Sequence, residues 1–250
     1  MEYDIEPFAT PEAGVAALRD LIEEADSELL LSTSARVLRA VVDELRAARA
    51  RDVLVFLLVG GGDAFEPSGP LASEPAAATV VREWDDADHI SVICTVDEGG
   101  GLCALEQLFE RPMDEDAGVV FRHPLLRNHV FSTVMGNTWQ RGYEAYVADP
   151  EPLPATYETF PRAVLNAVLH LREGRNLRAV VDGRWIERCE RATVAGPVCN
   201  VRQSFVSPVT SSFSVENGLH VRVDGEVVSV GGPGAFVEDV EAFETTLEPV

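Results

Sequence analysis

Residues 212–241 read SFSVENGLHVRVDGEVVSVGGPGAFVEDVE. Apolar and polar residues alternate on both sides of Asp224-Gly225, which is typical of a β-hairpin closed by a tight turn. The second strand ends at Gly231-Gly232-Pro233-Gly234, where glycine lets the chain turn sharply, and an acidic run from Glu238 to Glu241 follows. The stretch therefore predicts a polar corner at the end of a hairpin.

Other short β-like segments surround this hairpin, and an amphipathic helix precedes them. The helix is predicted over Phe160–Glu173, and the strands over Leu177–Val181, Trp185–Cys189, Ala192–Phe205 and Phe243–Leu247. Asp182-Gly183 is a second turn signal, and Gly196-Pro197 is expected to break the third of these strands. Residues 151–250 are therefore expected to form a helix followed by a small antiparallel β domain.

The N-terminal part has a different pattern. Glu28–Thr33 predicts a strand, Ala35–Arg49 a helix, and the uninterrupted apolar run Val53–Val59 a strand buried on both faces, as in a parallel sheet. Further helices are predicted over Pro11–Asp26, Ala76–Trp84 and Pro124–Val147, and further strands over His89–Val96 and Leu102–Leu108. Three prolines in Asp149–Pro154 mark a boundary, so residues 1–150 are expected to form an α/β domain and the whole chain to be α+β.

The charge is strongly acidic and the basic residues are all arginine. The chain has 42 acidic and 20 basic residues, a net charge of −22, and no lysine. This composition favours a salt-adapted protein, since high salt screens such a charge. A surface that mimics nucleic acid or binds a basic partner is the alternative. Direct contact with nucleic acid is not expected, because it needs a basic face.

Familiar catalytic and metal-binding patterns are missing from the sequence. The four cysteines form no CxxC and are interpreted as buried free thiols, the five histidines lack metal-ligand spacing, and there is no GxSxG. The glycines at 60–62 lack a phosphate-loop pattern. We therefore expect no catalytic residue, metal or cofactor. No apolar segment is long enough for a membrane span, and a cytoplasmic location is expected.

The polar corner is the candidate ligand site, with five residues in it. These are Asn217, Gly231, Gly232, Glu238 and Asp239. Each also has an interpretation without a ligand. In it, Asn217 belongs to a turn at a strand end, the two glycines let the chain turn, and the two acids lie in the first turn of a helix. Together they offer amide and carboxylate groups, which bind sugar hydroxyls well, and Trp185 or Phe213 could cover the sugar ring.

SVENG, followed by HVRVDGEVVSVGGPGAFVEDVEAF, resembles the C-terminal signature of the TrmB family of archaeal sugar-responsive transcriptional regulators. The N-terminal region, with LIEEADSELLLSTS and LRAARARDVLVFLLV, is similar to that family's phospholipase-D-like regulatory domain. The resemblance implies sugar-binding roles for Asn217, Gly232 and Glu238, with Gly231 and Asp239 flanking them. No histidine is followed by the lysine of an HxK pair, so the fold is expected to act as a sensor without catalysis.

The resemblance implies an effector-sensing module that binds a mono- or disaccharide. The family's winged helix-turn-helix is not expected here, because the α/β domain starts within about ten residues of Met1. A homodimer is compatible with this interpretation. An interaction protein of the same family that has lost ligand binding, and a hydrolase with a non-local site, are the alternatives.

Overall fold

The computed structural model describes residues 4–61, 64–66, 69–71, 75–85, 91–97, 99–113, 115, 117–213 and 215–250. The chain divides into two compact units, Met1–Ala148 and Asp149–Val250. Each unit has its own β-sheet, and α-helices accompany both. The predicted α+β class is therefore confirmed.

The first unit is built on a mixed sheet. Its strands are β1 (Ile5–Phe8), β2 (Glu28–Ser34), β3 (Leu54–Gly60), β4 (Val80–Trp84), β5 (Ser91–Val96), β6 (Gly100–Leu105), β7 (Gly118–Arg122) and β8 (Tyr143–Val147), and its α-helices are α1 (Pro11–Glu24), α2 (Ala35–Ala50) and α3 (Pro124–Thr133). The strand order is β1-β7-β6-β5-β2-β3-β4-β8. The pairs β2–β3 and β3–β4 are parallel, and the remaining pairs are antiparallel.

The predicted strand-helix-strand unit is confirmed as β2, α2 and β3. Ser34 caps α2 by accepting a hydrogen bond from the Val37 N–H at 3.4 Å, as expected of a helix N-cap. All seven residues of β3 are buried, which agrees with its uninterrupted apolar sequence. Alternate residues of β2 and β3 join α1 and α2 in one apolar core.

The predicted helix over Ala76–Trp84 is wrong. Pro75–Ala77 forms a single 3-10 turn, and Val80–Trp84 is strand β4. Val80 and Val81 are β-branched and completely buried, and this position between β3 and β8 outweighs a weak helical pattern. The predicted strand from His89 begins at Ser91, and His89 itself lies outside the described residues.

The predicted helix over Pro124–Val147 is wrong in its second half. After α3 the chain forms a π-helical turn, Val134–Thr138, and a 3-10 turn, Trp139–Arg141. It then forms β8. Trp139 is fully buried and meets Phe56 of β3 edge-on, with 5.7 Å between ring centroids. A side chain at Gly142 would come within 2.8 Å of Leu58, so glycine lets the chain pass close to the sheet.

The second unit is a small barrel with one helix. It contains β9 (Ala155–Tyr157), α4 (Phe160–Arg172), β10 (Leu177–Trp185), β11 (Glu190–Arg202), β12 (Gly218–Val223), β13 (Glu226–Gly231) and β14 (Val240–Pro249). Strands β10 to β14 pair in order, and β10 also pairs with β14, which closes the barrel. The antiparallel pattern has one exception, because β13 and β14 are parallel. Helix α4 packs against β9, β10, β11 and β14.

One of the two Asp-Gly turn predictions is confirmed. Asp224 and Gly225 have φ of 51° and 92° and connect β12 to β13. Asp182-Gly183 instead lies within β10, opposite a bulge at Phe243 of β14, and a Cβ on Gly183 would lie 2.2 Å from the Glu241 carbonyl oxygen. The expected break at Gly196 is also wrong, because β11 is continuous and a Cβ there would lie 2.0 Å from the Arg222 carbonyl oxygen. Both glycines permit close strand approach.

Within the described part of the chain, no helix is long and apolar enough to span a membrane.

Candidate ligand site

The β12–β13 hairpin and the loop after it form the predicted corner. Gly218 is paired with Gly231 across the hairpin, so Asn217 and Gly232 lie at the same end of it. Residues 232–239 then cross to β14, which runs parallel to β13. We call residues 232–239 the crossover loop.

Two acidic residues hold the crossover loop against the barrel. Asp239 Oδ2 accepts hydrogen bonds from the Ser229 N–H at 2.8 Å and from the Ser229 hydroxyl at 2.7 Å. Glu241 Oε1 accepts from the Gly234 N–H at 2.8 Å, and its Oε2 accepts from the Arg184 guanidinium. The Gly234 N–H and then Arg184 lower the pKa of Glu241, although burial opposes them. Both carboxylates are therefore structural anchors.

The two site glycines permit close packing at the ends of this loop. A Cβ on Gly231 would lie 2.7 Å from Ala235 Cβ and 2.8 Å from Glu238 Cδ. A Cβ on Gly232 would lie 3.1 Å from both Cβ and Cδ1 of Phe160, the first residue of α4. Gly231 is thus packed beside the Glu238 carboxyl group, whereas Gly232 is packed against the helix.

Glu238 is bound much more weakly than its acidic neighbours. Its Oε2 accepts one long contact of 3.4 Å from the Val237 N–H, and its Oε1 accepts no hydrogen bond from the described residues. A carboxylate with an uncommitted oxygen can accept hydrogen bonds from a ligand.

A cavity of about 430 Å³ opens beside Glu238, between the β10–β11 turn and the crossover loop. It is lined by Trp185, Ile186, Glu187, Arg188, Phe236, Glu238 and Asp239. The two sides are joined by a hydrogen bond of 2.9 Å from the Ile186 N–H to the Asp239 carbonyl oxygen. The Arg188 guanidinium lies over the Trp185 ring, 5.8 Å from its centroid. The lining therefore combines aromatic surface, three carboxylates and one cation.

The structure brings some of the five predicted residues together and leaves others apart from the cavity. Glu238 and Asp239 line it, whereas Asn217, Gly231 and Gly232 do not. Asn217 nevertheless has a buried Oδ1 without a hydrogen-bond partner among the described residues. A buried polar atom normally has a hydrogen-bond partner. Asn217 Oδ1 is therefore a second position where a ligand could donate a hydrogen bond.

Several residues that shape the site were not predicted from the sequence. Ser229, Arg184 and Gly234 supply the donors that hold Asp239 and Glu241. They lie up to 57 residues away in the chain, and no short spacing signals these contacts. Trp185 lines the cavity as considered, whereas Phe213 is 73% exposed and does not.

The described residues contain no group of three or more His, Cys, Asp or Glu side chains that could hold a metal ion. All four cysteines are free thiols, and burial raises the pKa of Cys94 to about 12. The interpretation of the cysteines as buried is wrong for Cys189 and Cys199, which are exposed.

Family models match nearly the whole chain. The model for the N-terminal subdomain of the effector-binding domain of the transcriptional regulator TrmB matches residues 8–146, and the model for the C-terminal subdomain of TrmB/TrmBL1 matches residues 152–250. The two models describe the paired subdomains of one effector-binding domain. The chain belongs to the TrmB family.

Solved structures show more distant similarity. TrmBL2, an archaeal chromatin protein with a novel mode of DNA binding, is 16% identical with a TM-score of 0.43, over 57% of this chain and 54% of that one. Nuc from Salmonella typhimurium, a phospholipase D family member, is 18% identical with a TM-score of 0.43, over 59% and 100%. Phosphatidylserine synthase from Haemophilus influenzae Rd KW20 is 16% identical with a TM-score of 0.41, over 57% and 40%.

The match to TrmBL2 spans about half of that protein, and similarity at this level transfers no function. No curated protein matches the sequence significantly.

Proposed function

We propose that this chain is the effector-sensing module of a TrmB-like regulator and that its effector is a neutral mono- or disaccharide bound beside Glu238. The observation that carries the proposal is the cavity of about 430 Å³ next to a carboxylate with an uncommitted oxygen. Pockets of about 300–1,000 Å³ are usual for small ligands. Family membership adds the expectation of an effector.

The chemistry of the lining favours a neutral polyol. Glu187, Glu238 and Asp239 bring three carboxylates to the cavity against the single guanidinium of Arg188. An anionic sugar would be repelled by this balance. Sugar hydroxyls can donate to Glu238, and the Trp185 ring offers an apolar face to the sugar ring.

Asn217 supports a second polar contact. Its buried Oδ1 has no hydrogen-bond partner among the described residues, and Asn217 lies at the same end of the hairpin as Gly232. A ligand hydroxyl that donates to this oxygen would remove the cost of an unsatisfied buried acceptor. Gly231 and Gly232 would contribute by letting the crossover loop pack closely, and Asp239 by fixing that loop to β13.

The module would act without catalysis, by favouring one arrangement of the regulator when the sugar is bound. A DNA-binding segment, attached to this chain or supplied by a partner, would read that arrangement, and a homodimer would suit such a switch. The net charge of −22 argues against direct nucleic-acid contact by these residues.

Isothermal titration calorimetry at high salt tests the proposal with glucose, galactose, maltose, trehalose and sucrose. We expect at least one to bind, with Glu238→Ala weakening it by about tenfold or more because a charge-assisted hydrogen bond is lost. Glu244→Ala is the matched control, since Glu244 is an exposed acid of β14 outside the cavity lining.

Binding of no sugar in the panel would contradict the sugar assignment and favour an interaction protein. Equal affinities for the Glu238→Ala variant and the wild type would show that the ligand lies elsewhere.

A further inference from the structure

The segment Asp149–Pro154, which follows the first unit along the chain, is held by helix α4. Within this segment, Glu151 is hydrogen-bonded to three residues of α4. Its N–H donates to Asn166 Oδ1 at 2.8 Å, its carbonyl oxygen accepts from His170 Nε2 at 2.9 Å, and its Oε1 accepts from Arg162 Nε at 2.7 Å. Both backbone groups and the side chain of one residue are therefore bound by a single helix.

The side chains that hold Glu151 are themselves fixed. Asn166 is 4% exposed and donates from Nδ2 to the Arg162 carbonyl oxygen at 3.0 Å. His170 is completely buried, and its Nδ1 accepts from Arg175 Nη1 at 3.2 Å. Because Arg175 can only donate, the hydrogen of His170 lies on Nε2, where it donates to Glu151. The contacts form a rigid clamp.

The first turn of α4, which also carries Arg162 of the clamp, meets the candidate ligand site. Phe160, its first residue, is 3% exposed and packs against Gly232. Even a methyl group on Gly232 would come within 3.1 Å of Phe160, so a small displacement at Gly232 must be accommodated by the first turn of the helix. Packed interfaces of this kind tend to shift as units.

We infer that α4 couples the ligand site to the segment Asp149–Pro154. A ligand that moves the backbone at Gly232 displaces Phe160, the helix carries this displacement along its length, and the clamp on Glu151 tightens or loosens in response. The part of this inference in which a ligand moves Gly232 rests on the proposed function. The mechanical coupling does not, because it depends only on contacts within the second unit.

Hydrogen exchange on Gly232→Ala tests the coupling without any ligand. The added methyl group presses on Phe160 only by a few tenths of an ångström, so folding should be retained. Because Pro150, Pro152 and Pro154 have no amide hydrogen, Glu151 is the main reporter in this segment. We expect exchange there to rise by about fivefold or more, while exchange in β13 stays unchanged.

Gly234→Ala is the matched control. Gly234 lies in the same loop with φ of 79°, and a Cβ there meets nothing within 4 Å. Its substitution should raise exchange in the crossover loop only. Asn166→Leu gives the reference for an opened clamp, because it removes the acceptor of the Glu151 N–H.

Unchanged exchange at Glu151 in Gly232→Ala would overturn the coupling, as would an equal rise in Gly234→Ala or a uniform rise throughout the second unit. None of these outcomes affects the calorimetric test of sugar binding, so the two ideas can fail separately.

Discussion

Two acidic corners of the molecule, one in each unit, use their carboxylates differently. In the first unit, Asp97 accepts hydrogen bonds from the N–H groups of Asp26, Ser27 and Glu28 at 2.8–3.0 Å and from the Ser27 hydroxyl at 2.8 Å. Both of its oxygens are used. In the second unit, Glu241 uses both oxygens and Asp239 Oδ2 accepts two short hydrogen bonds, whereas Glu238 accepts a single contact of 3.4 Å from the described residues.

The difference separates structural acids from a candidate ligand residue. A carboxylate held by short hydrogen bonds is fixed in place and stabilises the backbone that it binds, and when both oxygens are bound, as in Asp97 and Glu241, little capacity is left for a ligand. Glu238 and Asp239 both line the cavity, but Asp239 is held by two short hydrogen bonds and Glu238 accepts none of that length from the described residues. The comparison therefore ranks the acids by their effect on stability, with Asp97 first and Glu238 last.

Asp97→Asn should produce the largest loss of stability. Although burial alone would raise the pKa of Asp97, its hydrogen bonds from Asp26, Glu28 and Ser27 lower it below the ordinary value of 3.8. Replacing the charge should reduce the free energy of unfolding of the first unit by about 1–3 kcal/mol at pH 7. Native-state hydrogen exchange of β2 and β3 measures this loss.

The loss should depend on pH in a defined direction. Because the folded pKa is lowered, the ionised form stabilises the fold above pH 3.8, and this stabilisation disappears as the pH falls through the folded pKa. The wild type and Asp97→Asn should therefore converge below this pH. Asp224→Asn is the control, since Asp224 has a φ of 51°, close to the 40° of Asp97, and its carboxylate has no hydrogen bond among the described residues. A difference that persists in acid would contradict the role of the charge.

Asp239→Ala should have an intermediate effect. It removes the acceptor for the Ser229 N–H and hydroxyl, so we expect the second unit to lose about 0.5–1.5 kcal/mol. Hydrogen exchange should rise first in the crossover loop and at the end of β13. If stability is unchanged, Asp239 does not anchor the loop. That result would favour the sequence-based prediction that Asp239 belongs to the ligand site with Glu238.

The sequence was most informative where one strong pattern determined an element. The apolar run of β3 and the alternating hairpin around Asp224 were identified correctly, because burial on both faces or on one face leaves a direct trace in the sequence. The predictions failed where a tertiary contact outweighed the local pattern. Trp139 packs on Phe56 in a segment where a continuous helix was expected, and Gly183 allows close approach of Glu241 where a turn was expected.

The candidate site shows the same limit. The residue pattern alone predicted an acidic corner without distinguishing Glu238 from Asp239, and only the family resemblance gave the two residues different roles. That distinction depends on Ser229, which becomes a neighbour only when β13 and β14 lie side by side. The cavity likewise needs Trp185 from another hairpin. Such long-range contacts have no spacing rule in a single sequence.

Glu238→Gln should have the smallest effect on stability. Since Glu238 accepts a single contact, at 3.4 Å, from the part of the chain that the structure describes, the free energy of unfolding of the second unit should change by less than about 0.5 kcal/mol. Sugar affinity should nevertheless fall, because the amide presents one acceptor oxygen where the carboxylate presents two. Native-state hydrogen exchange measures the free energy of unfolding, and calorimetry on the same preparation measures the sugar affinity. A loss of stability equal to that of Asp239→Ala would make Glu238 a third anchor and remove the contrast on which its assignment as a ligand residue rests.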